Sequence, residues 1–168
     1  MLQKWSNYKK FGNNEWFDVW RQKMNKKTMK FISILRENSR EKLTMISKKT
    51  NIPISTLFDI LKELKGGIIT KQTVLLDFNK LGYNTRAQVL IAVENGDQKM
   101  LKQHLICNTN INNIFKINSG WSFMVETVHK SVKDLDDFLE NINQSFRITK
   151  QEIHYLIDEI KREGFEIN

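Results

Sequence analysis

Asn51 stands between two short apolar periods, and this arrangement constrains the fold more than any other feature of the chain. The stretch is LTMISKKTNIPISTLFDILKEL, Leu43 to Leu64. Leu43 and Ile46 give a first helix its apolar side. Small Ser47 follows, where two steeply crossing helices leave little room. Asn tolerates the left-handed backbone that such a turn usually assigns to Gly. Ser55 is placed to cap the next helix, whose apolar face is Leu57, Ile60, Leu61 and Leu64. The pattern predicts a helix-turn-helix, with helices over about Glu41 to Thr50 and Ser55 to Lys65. A second helix of this kind can present its other face to a DNA major groove.

The charge distribution agrees with an anionic partner. The chain has 168 residues and a net charge of +8, enough for one domain or two small ones. Met1 to Tyr83 holds 17 Lys+Arg against 7 Asp+Glu, net +10, whereas Asn84 to Asn168 holds 10 against 12, net −2. The excess therefore lies in the half with the helix-turn-helix, which is the electrostatic footprint of nucleic-acid binding, although a charge excess alone also fits a solvated basic surface. Cys107 is the single cysteine, so no disulfide forms within one chain and a reducing compartment is expected. The N-terminus has no continuous apolar core, and no apolar run approaches the roughly 20 residues that span a bilayer. The expected location is cytoplasmic, with no membrane partner.

Along the chain, Glu15 to Lys27 reads as a short helix with Trp16, Trp20 and Met24 on one side. Thr28 is placed to cap a helix from Met29 to Arg36. Gly66-Gly67 ends the second helix of the motif, and Ile68 to Thr70 with Thr73 to Asp77 read as short strands of a small wing. Asp77 to Tyr83 reads as a hinge. Then Thr85 to Glu94 is strand-like, Asp97 to Cys107 helical, and Ile111 to Asn118 and Trp121 to Val128 are strands around the turn Ser119-Gly120. Ser131 caps a helix to Asn143. Ile153, Tyr155 and Ile157 alternate at period two, which favours a last strand over Ile153 to Ile160 rather than a helix over Gln151 to Glu163. The order β-α-β-β-α-β is the ferredoxin-like split motif. The expected fold class is thus α+β. The expected domains are an extension over 1–27, a winged helix-turn-helix over 28–76, a linker over 77–83 and a ferredoxin-like domain over 84–168.

From Thr28 onward the chain resembles the leucine-responsive/asparagine regulators, the Lrp/AsnC family of transcription factors. The resemblance rests on the helix-turn-helix followed by Gly67-Ile68-Ile69, then Leu76-Asp77-Phe78-Asn79-Lys80-Leu81-Gly82, then the strand Ala87 to Val93. It implies a ligand-sensing, dimerising second domain, a homodimer or higher even oligomer, and a small-molecule effector near the turn Ser119, Gly120, Trp121 and Ser122. The family turn commonly carries acids, and Gly120-Trp121-Ser122-Phe123 has none, which speaks against an ordinary amino-acid effector. Ile60 stands where family recognition helices commonly carry Arg. The interval after Leu64 is one residue short, and the extension before Thr28 is unusual.

For double-stranded DNA, Ser55, Thr56, Asp59 and Lys62 are the expected groove-facing residues. Arg40, Lys42, Lys48, Lys49, Lys65 and Lys71 are the expected phosphate clamps. Phe58 is a candidate for a thymine methyl or for packing against the extension. No catalytic residues, metal or cofactor are expected. His104, His129, His154 and Cys107 lack the spacing of a closed zinc site, and no Gly-x-Ser-x-Gly elbow or phosphate loop occurs. The acidic run Asp134, Asp136, Asp137 and Glu140 reads as a solvated helix face. Two other readings remain: a chromatin-like architectural protein that binds DNA with little sequence preference, and an enzyme resembling the sirohaem decarboxylases. Arg86, Arg147 and Arg162 are too dispersed in sequence to favour the second.

Overall fold

The computed structural model describes residues 24–65 and 67–165. The expected helix over Glu15 to Lys27 lies mostly outside them, as does Gly66. The described residues fall into two compact units, one running to Val74 and joined by residues 163–165, the other Leu75–Arg162.

The first unit is built on α1 (Lys26–Glu37), α2 (Leu43–Thr50) and α3 (Ile54–Lys65). α1 starts three residues before the expected Met29. Asn25, not Thr28, is the cap: its Oδ1 accepts from the backbone N–H of Lys27 and of Thr28, each at 3.0 Å. Thr28 is instead buried. Met24 and Asn25 are not helical, so the expected preceding helix does not reach Lys27. α2 begins at Leu43 rather than Glu41, whose carboxylate accepts from Asn38 Nδ2 in the preceding turn. α3 begins at Ile54, so Ser55 sits in its first turn and does not cap it. Pro53 holds the position before the helix, and its carbonyl accepts from Leu57 N–H at 3.0 Å. Pro suits this place because its fixed φ suits a helix start and its missing N–H is not needed there.

The three helices close over Phe31, Ile32, Ile46, Ile52, Leu57 and Leu64. So small a core leaves little reserve: truncating one fully buried Leu commonly costs ~2–5 kcal/mol. The expected wing is absent. Residues 68–77 form no strand, and Val74, Leu75 and Leu76 are exposed. An isolated two-stranded ribbon is marginal in water, and no other strand or helix among the described residues pairs with or covers this one.

The second unit takes in the expected linker. Phe78 is half-buried, a 3₁₀ turn covers Asn79–Leu81, and Gly82 ends it at φ 83°. Four strands follow with two helices between them: β1 (Thr85–Val93), α4 (Gln98–Cys107), β2 (Ile111–Lys116), β3 (Phe123–His129), α5 (Val132–Ser145) and β4 (Ile148–Tyr155). The sheet order is β2-β3-β1-β4, with antiparallel neighbours throughout. Alternation along β1 sends Ala87, Val89, Ile91 and Val93 into one core with Phe123 and Val125 of β3, Leu101 and Leu105 of α4, and Leu135, Phe138, Leu139 and Ile142 of α5. Ser131 caps α5 as expected, through a reciprocal box with Asp134. β4 starts five residues earlier than expected and stops at Tyr155. Its register against β1 pairs Val93 with Ile148 and Ala87 with Tyr155. Ile157 and Ile160 lie beyond the ladder, 96% and 95% exposed.

His129, at the end of β3, is 1% exposed and packs on Phe138 at 5.4 Å between ring centroids. Asn110 Nδ2 approaches its Nδ1 at 3.4 Å, and Nε2 has no partner. Burial pushes its pKa down, against the opposing pull of Asp134. The unfolded chain therefore takes up a proton near pH 6.5 that the folded chain resists. This contribution to stability is complete above that pH and shrinks as the pH falls below it. Thermal unfolding between pH 7.5 and pH 5 is expected to show a falling Tm, and His129→Leu to flatten that fall. An equal slope in the variant would refute the assignment.

Candidate nucleic-acid interface

The link between α2 and α3 sets the direction of α3. Asn51 ends α2 in the left-handed region, φ 57° and ψ 29°, and its N–H donates to the Ser47 carbonyl at 2.8 Å. Ser47 Oγ donates to the Ile52 carbonyl at 2.6 Å, and Thr50 Oγ1 to the Ile46 carbonyl at 2.7 Å. Ile52 is 3% exposed and plugs the angle between the helices. A larger residue at 47 would push the second helix away.

With Leu57 and Leu64 turned into the core, spacing of 100° per residue puts Ser55, Asp59 and Lys62 on the opposite face of α3. All three are exposed, whereas Thr56 is half-buried at the flank. Lys65 is exposed in the last turn of α3, and Lys48 and Lys49 in the last turn of α2. Lys49 Nζ lies 3.6 Å from Glu41 Oε1, which occupies part of its charge. Arg40 and Lys42 are exposed just before α2, and Lys71 is exposed in the irregular segment after α3. Nine of the ten expected DNA contacts are therefore solvent-facing. Two apolar side chains join them, Ile54 at 46% and Phe58 at 59% exposure. Ile54 was not expected there. Its i, i+4 relation to Phe58, off the Leu57–Leu64 stripe, is the signal that could have found it.

The turn Asn118 to Trp121 has φ 60° at Ser119 and 84° at Gly120, and Trp121 N–H donates to the Asn118 carbonyl at 3.3 Å. Two positive φ values make it the tight turn that matches strand twist. Ser122 is held to β1: its N–H donates to the Ile91 carbonyl at 2.9 Å, and its Oγ accepts from Val93 N–H at 3.2 Å. Lys150 Nζ lies 4.1 Å from the centre of the Trp121 ring. The four expected effector residues thus lie together, with Lys150 of β4 against Trp121 and no acid on the turn itself.

The sheet face away from the helices carries a network that the sequence did not reveal. Glu126 is 8% exposed. Its carboxylate accepts from Arg86 Nη2 at 2.9 Å and from Asn113 Nδ2 at 2.6 Å. Burial raises its pKa, but the Arg86 and Asn113 hydrogen bonds outweigh burial and hold it below the usual carboxylate value. Arg86 also reaches Glu159 at 2.9 Å. A cavity of about 480 Å³ lies beside it, lined among others by Leu76, Phe78, Asn84, Leu156 and Arg162. No group of three or more His, Cys, Asp or Glu among the described residues is arranged to hold a metal ion.

No family model matches the chain. The HTH-type transcriptional regulator FL11 of Pyrococcus furiosus is 29% identical over 114 residues, covering 67% of this chain and 76% of its own. The structure of E. coli AsnC superposes with a TM-score of 0.77 at 16% identity, covering 86% of this chain and 99% of that one. The chain has the Lrp/AsnC fold. A transcriptional regulator of Neisseria meningitidis, solved in complex with L-Met, shares it with a TM-score of 0.79 at 15% identity, covering 86% and 96%. On an Lrp/AsnC fold the helix-turn-helix is N-terminal and the ferredoxin-like domain C-terminal, as here.

Because left-handed backbone costs a residue with a Cβ about 1–2 kcal/mol unless its side chain is Asn-like, Asn51→Val is expected to destabilise the helical unit by about that amount. Asn51→Gly is expected to change it by a few tenths of that. Denaturant unfolding compares the two, and equal losses would show that backbone conformation is not what selects Asn.

Proposed function

We propose that this chain is a sequence-specific DNA-binding transcriptional regulator of Lrp/AsnC type that pairs through its C-terminal sheet. The observation that carries the reading is α3, which sends Leu57 and Leu64 inward and Ser55, Asp59 and Lys62 outward amid a basic half-chain. Ser55 and Lys62 can donate to base edges or phosphate, and Asp59 can accept from cytosine N4–H. Lys42, Lys48 and Lys65 hold the backbone. The FL11 relative is itself named a transcriptional regulator.

One small helix-turn-helix makes few contacts, and symmetric dimers that read two half-sites are the common remedy. The sheet face away from the helices supports such pairing. Leu90, Met124 and Phe115 are adjacent there by register, and Phe115 is 48% exposed. The Neisseria regulator that shares the fold was solved with L-Met. Trp121 under Lys150, with no acid on its turn, favours an anionic or aromatic ligand over a free amino acid. No helix among the described residues is long and apolar enough to cross a membrane.

Selection from random duplexes, followed by gel shift, tests the reading. Enrichment of a palindromic site supports it. A steep salt dependence with no preferred sequence would replace it with the architectural reading. On the selected site, Lys48→Ala is expected to lower the slope of log affinity against log salt by about 0.9. An unchanged slope would remove Lys48 from the phosphate contacts. Phe115→Glu is expected to shift the sedimenting species to monomer and weaken DNA binding with the fold intact. An unchanged dimer would move the pairing surface elsewhere.

A further inference from the structure

Charge does not explain the outward face of α3. Ile54 and Phe58 lie one turn apart and leave 46% and 59% of their surfaces exposed. With Lys62 they form a row at i, i+4 and i+8, beside the row of Ser55 and Asp59. This row is distinct from the core stripe, because Leu57 is 0% and Leu64 1% exposed. A large aromatic ring held in water on the most basic part of a protein gains by covering its surface. Lys42, Lys48, Lys49, Lys62 and Lys65, all exposed on the same helical unit, commit the covering partner to a polyanion. Of the four bases, only thymine offers an apolar group in the major groove, its C5-methyl.

Asp59 strengthens the orientation. A carboxylate is repelled by phosphate, so its place mid-face turns this side of α3 toward base edges rather than toward the backbone. Phe58 is its neighbour on that side. We propose that Phe58, flanked by Ile54, reads a thymine C5-methyl in the major groove and is a specificity-determining residue of this chain. The proposal rests on the regulator reading above and sharpens it by naming the base and the chemical group.

Replacing thymine by deoxyuridine removes the methyl and leaves base pairing unchanged. On the selected duplex, each thymine is replaced in turn and affinity is measured for the wild type and for Phe58→Ala. At one position or two per half-site, the wild type is expected to lose about three- to fivefold, the worth of one buried methyl. Phe58→Ala is expected to bind both duplexes equally, near the wild-type affinity for the deoxyuridine duplex. A selected site insensitive to every replacement overturns the proposal and leaves the regulator reading standing. So does a Phe58→Ala variant that keeps the full deoxyuridine penalty. If that variant also loses several degrees of Tm, Phe58 is packed against protein. Failure to enrich any sequence overturns both readings together.

Discussion

The hydrogen bond from Ser47 Oγ to the Ile52 carbonyl fixes what the rest of the helical unit can do. It ties the last turn of one helix to Ile52, two residues before the next begins. The left-handed Asn51 between them turns the chain by the one angle at which Ile46, Ile52 and Leu57 meet Phe31. Every outward residue of α3 inherits its direction from that angle. A hydrogen bond contributes only about 1 kcal/mol net, but here it acts on orientation. A core of six buried side chains has few other means to hold one helix at a defined pitch to another.

The ferredoxin-like unit solves a different problem. Its apolar residues gather on one face of the sheet under α4 and α5, leaving the other face to Leu90, Met124, Phe115 and the Arg86–Glu126–Asn113 network. A carboxylate with so little exposure survives there because both of its oxygens accept from fixed donors. Removing either donor would leave a buried charge partly unpaired, which costs more than the bond itself is worth.

Much of this was legible in the sequence, and the exceptions have physical causes. Asn51, Ser47 and the Leu57–Leu64 stripe declare the helix-turn-helix because their spacing leaves no other amphipathic solution. The strand order followed from period and from the Ser131 cap. The last strand was misplaced because Ile153, Tyr155 and Ile157 alternate well past the end of their partner: pairing stops where β1 begins, and no local pattern reports that. The wing failed for a related reason, since Ile68 to Thr70 and Thr73 to Asp77 have strand-like side chains but no sheet to join. Asn25 displaced Thr28 as a cap because its carboxamide oxygen reaches two backbone donors at once. The Glu126 network was invisible because it joins residues 86, 113 and 126 only after the strands pair.

An open four-stranded sheet has two edges, and each offers unpaired backbone groups to any passing strand. At one edge β2 slips register between Ile111 and Asn113 and ends in Lys116. At the other, β4 alternates Lys150 and Glu152 along an exposed strand, and β1 slips beside it between Ala92 and Val93. Irregular, charged borders of this sort discourage end-on growth into a continuous ribbon. The same two borders therefore protect the domain from edge-to-edge polymerisation without any covering helix or added strand.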